Sequence, residues 1–231
     1  MSCLAVIPAR GGSKRIPRKN VKDFNGKPVI ENPIRLALNS AIFTNVVVST
    51  DDKEIGAIAT KCGANVPFDR RPSLSDDFST TVEVISDTIQ FELNNGRAYD
   101  FVCCLYPVTP LLRVSRISEG LSRLKETKAS YVFPAIEFDT PIQRAFKEGE
   151  KGFIELLNQD FANTRTQDIS PYFHDAGQFY WARSETWLKK ETIIGSNSQI
   201  IKLDKYEVID IDNLHDWKFA EEISEIRSRA H

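Results

Sequence analysis

The hydrophobic pattern alternates between two periods along the chain. Short runs of β-branched and other apolar residues predict buried strands, and apolar residues spaced three or four positions apart predict helices between them. The predicted strands are 4–8, 45–50, 64–67, 100–105, 130–135, 178–181 and 207–211. The predicted helices are 33–40, 53–62, 80–94, 115–126 and 213–229. This order favours an α/β fold in three layers, with a mostly parallel sheet between helices.

The regular alternation weakens between residues 143 and 172, which are mostly polar with scattered aromatic residues. The chain contains no internal repeat, low-complexity tract or linker that would separate two domains. We therefore predict one domain over residues 1–231, with 143–172 as an insertion that binds substrate or contacts a partner subunit.

Composition and charge exclude several classes of protein. Thirty basic and thirty-two acidic residues give a formal charge of −2, so the basic excess typical of nucleic-acid binding is missing. We expect no membrane partner and a cytoplasmic location, because the chain shows neither a signal peptide nor an apolar run long enough to span a bilayer. The four cysteines show no C-x-x-C spacing, which favours small core residues over a zinc or redox site.

A dense cationic loop follows the first predicted strand. Its five positive side chains within ten residues are Arg10, Lys14, Arg15, Arg18 and Lys19. Gly11 and Gly12 allow a tight turn whose amide groups can approach an anion, and the cations suit phosphate. A loop at the end of a buried strand lies where open α/β sheets bind ligands. We interpret it as a polyphosphate site, with a solvated surface turn as the alternative; its spacing matches neither a P-loop nor G-x-G-x-x-G.

Two further segments carry groups suited to a nucleotide. Residues 70–81 combine two arginines with several hydroxyls ahead of a predicted helix. These groups can contact a base or a ribose, although helix capping explains Ser79 or Thr80 equally well. The turn at 106–110 follows a buried strand and so lies at the expected ligand edge, but a purely structural turn fits it equally well.

The segments 163–167 and 173–181 contain candidate substrate contacts. Arg165 could hold a substrate carboxylate through two parallel hydrogen bonds. His174 is one of only three histidines and could act as a general base, although a hydrogen-bonded structural or orienting role is the commoner one for a lone histidine.

Two aspartates lie close together near the end of the chain. If 207–211 is a strand, Asp210 and Asp212 lie on one face, with Ile209 and Ile211 on the other. Two adjacent carboxylates repel each other unless a cation lies between them, and hard oxygen ligands suit Mg²⁺. The alternative is that Asp212 caps the helix that follows.

Together these segments resemble the CMP-N-acylneuraminate (CMP-sialic acid) synthetases, a family of cytidylyltransferases. The resemblance rests on IPARGGSK at 7–14, IPRKN at 16–20, VSTD at 48–51, RP at 71–72, the turn at 107–110, Gly177 and DID at 210–212. KRIPRKN at 14–20 and HDAGQFYW at 174–181 are most similar to the branch that activates pseudaminic acid. Arg15, Arg18 and Tyr106 depart from the sialic acid pattern, which disfavours N-acetylneuraminate as the substrate.

The resemblance implies a single Rossmann-like domain of the nucleotide-diphospho-sugar transferase type, and a site for each of two substrates. CTP would contact Ala9, Arg10, Gly11, Gly12, Ser13, Asn20, Arg71 and Thr81. The sugar acid would contact Tyr106, Thr109, Arg165, Gln167, His174, Gln178 and Tyr180. Arg10, Lys14, Lys19, Asp210 and Asp212 would act in catalysis, the last two by binding Mg²⁺. Family members are typically homodimers, so the resemblance makes 143–172 the expected dimer arm.

The expected activity is transfer of CMP from CTP to a nonulosonic acid, with release of pyrophosphate. Pseudaminic acid is the first expectation, and neuraminate, legionaminate and Kdo remain alternatives. A metal-dependent glycosyltransferase is a rival of another class, because D-x-D also binds the metal of a nucleotide-sugar. A nucleotide-binding module without activity is the third possibility. The five-cation loop fits a free triphosphate better than a diphosphate sugar.

Overall fold

A seven-stranded mixed sheet organises the computed structural model, which describes residues 1–229 and the side chains as far as residue 227. The strands are β1 (Cys3–Pro8), β2 (Asp23–Phe24), β3 (Lys27–Pro28), β4 (Asn45–Ser49), β5 (Phe101–Leu105), β6 (Tyr131–Glu137), β7 (Phe146–Glu148), β8 (Ile154–Leu156), β9 (Phe173–Asp175), β10 (Phe179–Arg183) and β11 (Gln199–Leu203). The α-helices are α1 (Glu31–Asn39), α2 (Lys53–Lys61), α3 (Thr81–Asn94), α4 (Val114–Glu126), α5 (Ser184–Leu188) and α6 (Leu214–Arg229).

The main sheet has the order β11-β6-β10-β5-β1-β4, with β9 paired to β6. β1 is parallel to both β4 and β5, and β11 is parallel to β6. β10 is antiparallel to its two neighbours, and β9 is antiparallel to β6. Five of the seven strands therefore run in one direction, which confirms the predicted mostly parallel α/β sheet.

The central strand β1 is buried on both faces, as its continuous apolar sequence predicts. Ala5 and Ile7 enter one hydrophobic cluster, whereas Leu4 and Val6 enter the cluster on the opposite face. Cys3, Cys103 and Cys104 are buried among these residues, and all four cysteines are free thiols. Within residues 1–229, no helix is long and apolar enough to cross a membrane.

Helix ends follow local hydrogen-bonding rules. The sequence allows either Asp51 or Asp52 to cap the helix predicted over 53–62. In the structure Asp52 begins α2 by accepting hydrogen bonds from the amides of Glu54 and Ile55, both at 3.0 Å. Gly63 follows the helix with a φ of +100°, the left-handed backbone that ends many helices. Thr80 and Glu83 form a reciprocal capping box at the start of α3.

Two strand predictions are wrong. Segment 64–67 forms no strand, and only Asn65 makes an isolated bridge to Val47. Segment 207–211 is also not a strand: a 3-10 helix at Lys205–Glu207 precedes an extended, unpaired chain. Glu207 is buried and paired with Arg116, and such polar contacts are invisible to a hydrophobic pattern. The sequence pattern also missed β11, which pairs in parallel with β6.

Segment 143–172 contains the small antiparallel sheet β7–β8 together with short 3-10 helices. Its apolar residues Phe146, Phe153, Ile154 and Leu157 are exposed. It therefore presents an apolar surface outside the main core.

Gly120 in α4 and Gly56 in α2 allow a matched test of how tightly α4 packs against the main sheet. A Cβ atom at Gly120 would lie 2.8 Å from Trp181 Cδ1, whereas at Gly56 its nearest neighbours would be 3.7 Å away. We expect Gly120→Ala to lower the free energy of unfolding by about 1–2 kcal/mol, because overpacking outweighs the helix propensity of alanine. Gly56→Ala should raise it by about 0.5–1 kcal/mol. Urea denaturation measures both changes, and a stabilised Gly120→Ala variant would contradict the tight contact between α4 and the sheet.

Candidate active site

Two adjoining cavities lie beyond the carboxyl ends of β1 and β5. One has a volume of about 460 Å³ and the other about 650 Å³. They share a wall formed by Arg15, Lys19, Asn20, Tyr106 and Pro107. We call the larger the basic cavity, since Arg10, Lys14 and Arg70 line it, and the smaller the acidic cavity, since Asp175, Asp210 and Asp212 line it.

The loop after β1 is folded against the neighbouring strand β4. The Ala9 amide donates to the carbonyl of Ser49 at 2.9 Å, and the Gly11 amide donates to Asp51 Oδ1 at 3.0 Å. A Cβ atom at Gly11 would lie 2.8 Å from Asp52 Oδ2, so this close approach requires glycine. Asn20 Nδ2 closes the loop by donating to the carbonyl of Arg10 at 2.9 Å. These tertiary bonds are not those of a solvated surface turn.

Carboxylates from other segments compensate the charges of the loop. Arg10 lies 2.9 Å from Asp77 Oδ1, and Lys14 pairs with the same carboxylate. Across the shared wall, Arg15 Nη1 lies 2.5 Å from Asp212 Oδ2. Arg10, Lys14 and Arg15 therefore line the cavities, and each of the three is paired with an aspartate.

Lys19 stands between the two cavities. Its ammonium group donates to the carbonyl of Ile211, which connects the loop to the segment before α6. Burial lowers the pKa of Lys19, and the nearby charges of Asp212 and Asp210 partly oppose this effect. The position suits contact with a ligand that spans both cavities.

Arg70, rather than Arg71, contributes the arginine of the basic cavity. Its Nε donates to Ser49 Oγ at 3.1 Å, and burial lowers its pKa to about 10, so the guanidinium stays charged at neutral pH. Arg71 is exposed, pairs with Asp87 on α3 and lines neither cavity. The sequence marked the Arg-Arg segment but could not show which of the two is buried, so a nucleotide contact of Arg71 stays a prediction.

Asp210 and Asp212 line the acidic cavity from an extended segment, not from the predicted strand. Ile211 is buried in a cluster with Ile16 and Trp217, which fixes the segment between the cationic loop and α6. The cap of α6 is Asn213, whose Oδ1 accepts from the amides at 215 and 216 at 2.8 and 3.1 Å. Asp212 is therefore free of the capping role that the sequence left open.

The floor of the cleft holds most of the predicted polar contacts. Gln178 is buried and its Nε2 donates to the carbonyl of Glu207 at 2.9 Å. Thr109 Oγ1 donates to the carbonyl of Tyr106 at 2.9 Å, and the Tyr106 hydroxyl lies 2.9 Å from Thr81 Oγ1. Ser13 and Thr81 line the basic cavity, and Thr109, Gln178 and Tyr180 line the acidic one. In the loop itself, Ala9 is buried and Gly12 is exposed.

Three predicted substrate contacts are not brought to the cleft. Arg165 and Gln167 are exposed beside a 3-10 helix in segment 143–172. His174 is also exposed, and its ring packs against Phe138 with centroids 4.9 Å apart. None of the three lines either cavity, so their contacts with substrate stay predictions. The structure adds two residues that the sequence did not single out, Asp77 and Asp175.

The carboxylates of the acidic cavity suit a Mg²⁺ ion that takes its other ligands from water and substrate. Within residues 1–229, no group of three or more histidine, cysteine or acidic side chains could hold a metal by itself. Mg²⁺ commonly takes only one or two protein carboxylates and completes its shell with water and substrate phosphates. Asp210 and Asp212 fit this pattern.

Comparisons with known proteins identify the family. The family model described as "Cytidylyltransferase" matches residues 4–216, and the chain belongs to this family. The chain is 42% identical over 220 residues to a pseudaminic acid cytidylyltransferase of Campylobacter jejuni, with 95% of each chain covered. It is 30% identical to the CMP-N,N'-diacetyllegionaminic acid synthase of Legionella pneumophila, covering 100% of this chain and 99% of that protein.

A solved structure confirms the fold. The CMP:2-keto-3-deoxy-manno-octonic acid synthetase complexed with CTP has a TM-score of 0.72 over the full length of both chains. At 16% sequence identity this similarity concerns the fold alone. The predicted membership of the cytidylyltransferases and the predicted Rossmann-like class are thus confirmed.

Arg18 is the one loop cation that lies away from the cleft. Its backbone has a φ of +56°, and its side chain pairs with Asp52 and Glu54 at the start of α2. The hydrogen bond from Arg18 is the main reason that the pKa of Asp52 falls to about 2. We therefore assign Arg18 to the anchoring of the loop.

This assignment predicts a pH-dependent contribution to stability. Because the pKa of Asp52 is lower in the folded state than the ordinary value of about 4, the pair should stabilise the fold above that value and lose its effect as pH falls towards 2. Arg18→Ala should lower the free energy of unfolding by up to about 1 kcal/mol at pH 7 and by little at pH 2. Denaturation of the single variants Arg18→Ala and Asp52→Asn and of the double variant isolates the pair. An equal loss of unfolding free energy at pH 7 and pH 2 would contradict the stabilising role of the Arg18–Asp52 pair.

Proposed function

We propose that this protein transfers CMP from CTP to pseudaminic acid, giving the CMP-sugar and pyrophosphate. The full-length similarity of 42% to a cytidylyltransferase named for this sugar carries the proposal. The site supports it independently, because a cavity lined by cations adjoins a cavity lined by carboxylates and polar groups. Cations suit the triphosphate, and Arg15 and Lys19 in the shared wall suit the carboxylate of a sugar acid.

The reaction is a nucleophilic displacement at phosphorus. The anomeric hydroxyl oxygen of the sugar acid forms a bond to the α-phosphorus of CTP, the bond from that phosphorus to the bridging oxygen breaks, and pyrophosphate leaves with the electron pair. The hydroxyl proton passes to solvent or to a basic group at the phosphate. Such transfers depend mainly on positioning and on compensation of negative charge.

The basic cavity supplies this compensation for the triphosphate. Arg10, Lys14 and Arg70 line it together with Ser13. The amides of Gly11, Gly12 and Ser13 are further proposed contacts of the triphosphate. Lys19, which lines both cavities, would contact phosphate oxygens close to the point of transfer. Asn20, Thr81 and Arg71 are the proposed contacts of the cytidine.

Asp210 and Asp212 would hold Mg²⁺ at the acidic cavity. When bound, the metal would supply a positive charge that offsets charge on the phosphates and polarises the attacking hydroxyl. Arg15, now paired with Asp212, and Lys19 would keep the two carboxylates compensated before the substrates arrive.

The sugar acid would occupy the acidic cavity, against Tyr106, Thr109, Gln178 and Tyr180. Arg165, Gln167 and His174 are kept as proposed contacts, although they are exposed outside this cavity. We also propose a homodimer formed through segment 143–172, and a cytoplasmic location.

The substrate proposal is tested with a panel of nonulosonic acids. Purified protein with CTP and Mg²⁺ should release pyrophosphate and form a CMP-sugar, detected by mass, with pseudaminic acid in preference to legionaminic acid, N-acetylneuraminic acid and Kdo. Asp210→Asn should lower turnover roughly 100-fold or more, because it weakens the metal site. The exposed Asp139→Asn variant controls for loss of a negative charge.

Three results would contradict the proposal. Preference for another sugar acid would reject pseudaminic acid, and turnover of a nucleotide-sugar donor would favour the rival glycosyltransferase. CTP binding without pyrophosphate release would favour a module without activity.

The proposed dimer predicts a mass of about twice 26.2 kDa in solution. Phe153 is 74% exposed and Leu157 is 68% exposed, so a partner subunit would remove apolar surface from water. The double change Phe153→Ser with Leu157→Ser should shift the protein towards the monomer. Ile194→Ser, at a residue 66% exposed outside the arm, should not. Size-exclusion chromatography with light scattering measures the mass, and a monomeric wild type would contradict the dimer.

A further inference from the structure

The acidic cavity contains a third carboxylate to which the proposed reaction gives no role. Asp175 ends β9 and lines this cavity together with Asp210 and Asp212. It does not complete a metal site with them, since the described part of the chain has no cluster of three such side chains. Asp175 therefore needs a separate explanation.

Both oxygens of Asp175 are fixed by residues that follow it in the chain, one in the turn after β9 and one in β10. The Gly177 amide donates to Oδ1 at 2.9 Å, and the Tyr180 hydroxyl donates to Oδ2 at 2.5 Å. Gly177 has a φ of +58°, a left-handed backbone that favours glycine. An ionised carboxylate has about four acceptor positions, so further hydrogen bonds can be accepted from the cavity.

The tyrosine that holds Asp175 is itself part of a chain of aromatic and hydroxyl groups. Tyr180 packs edge-to-face against Tyr106 with centroids 5.2 Å apart, and the Tyr106 hydroxyl lies 2.9 Å from Thr81 Oγ1. Burial raises the pKa of both tyrosines, so both hydroxyls keep their protons at neutral pH. Tyr180 is thus a permanent donor to Asp175, and the chain extends from the acidic cavity to Thr81 in the basic one.

The charge environment of Asp175 differs from that of Asp212. Arg15 forms a salt bridge with Asp212, whereas no such pair with Asp175 occurs among the described residues. A carboxylate without a cationic partner can accept hydrogen bonds from neutral donors of a ligand, and it repels another carboxylate. Arg15 and Lys19, in the shared wall, carry the positive charges that attract a carboxylate.

We propose that Asp175 is a specificity-determining residue that accepts a hydrogen bond from a hydroxyl or amide N–H of the sugar acid. Its charge also directs the carboxylate of that sugar away from β9, towards the wall of Arg15 and Lys19. Tyr180 is the positioning residue that holds Asp175 in place. This inference rests on the proposed function, because it assigns a contact to the substrate proposed above.

The test compares Asp175→Asn and Tyr180→Phe with Tyr131→Phe. Tyr131 is also buried, but its hydroxyl bonds to the carbonyl of Glu191 at 3.1 Å, away from the cleft, so it controls for loss of a buried hydroxyl. Steady-state kinetics give the KM for the sugar acid and for CTP separately, and thermal unfolding checks that each variant is folded.

Asp175→Asn should raise the KM for the sugar acid by about 10-fold or more and change the KM for CTP less than about 2-fold. Tyr180→Phe should raise the sugar KM in the same direction by a smaller factor, and the double variant should show less than the product of the two effects. Tyr131→Phe should leave both constants unchanged.

The other outcomes separate the inference from the proposed function. A wild type that makes no CMP-sugar from any nonulosonic acid overturns the proposed function, and the inference with it. An active wild type with equal changes in both KM values for Asp175→Asn overturns only the inference. A lower kcat with unchanged KM and a lost acidic limb of the pH profile overturns it too, because Asp175 would then be a general base. If Asp175→Asn does not fold, an unchanged sugar KM in folded Tyr180→Phe overturns it instead.

Discussion

Compensation of charge in the loop after β1 is the constraint on which the site depends. Five cations within ten residues repel one another, so the loop keeps its shape only if anionic groups lie between them. Three aspartates from separate segments do this: Asp52 at the start of α2, Asp77 ahead of α3 and Asp212 ahead of α6. The same ion pairs connect these segments to the loop, and the segments of Asp77 and Asp212 line the two cavities.

The pairs differ in what ligand binding would require of them. Arg18 and Asp52 lie away from the cleft, so this pair can persist with substrates bound. Asp77 instead shares Arg10 and Lys14 with the proposed site of the triphosphate, and Asp212 shares Arg15 with the proposed site of Mg²⁺. Substrate and metal would therefore exchange partners with existing ion pairs. Such an exchange avoids the cost of leaving several like charges uncompensated in the empty enzyme.

Sequence patterns predicted the strands that are continuous apolar runs and the helix end that depends on a local hydrogen bond. The strands β1 and β4 are uninterrupted apolar runs, and the cap of α2 is a local hydrogen bond. Segment 207–211 misled the prediction because its alternating isoleucines are anchored by a small cluster around Trp217 rather than by a neighbouring strand. Alternation shows which side chains are buried but not which element buries them.

The same limit applies to the site. The cationic loop and Asp210 were predictable because they are dense or unusual in sequence. Arg70 and Arg71 are adjacent and chemically identical, and only the tertiary fold buries one and exposes the other. Asp175 carried no signal of its own, because its role depends on Gly177 and Tyr180 around it. Burial and long-range partners are set by the whole fold and cannot be deduced from composition or spacing.

The central claim is that the nucleotide occupies the basic cavity and the sugar acid the acidic one. A crystal structure of the protein with bound CMP-pseudaminic acid tests it most directly. We predict that the cytidine lies against Asn20 and Thr81 in the basic cavity, with the phosphate at the shared wall and the sugar against Asp175 and Gln178 in the acidic cavity. A cytidine in the acidic cavity, or a sugar outside both cavities, would contradict the account.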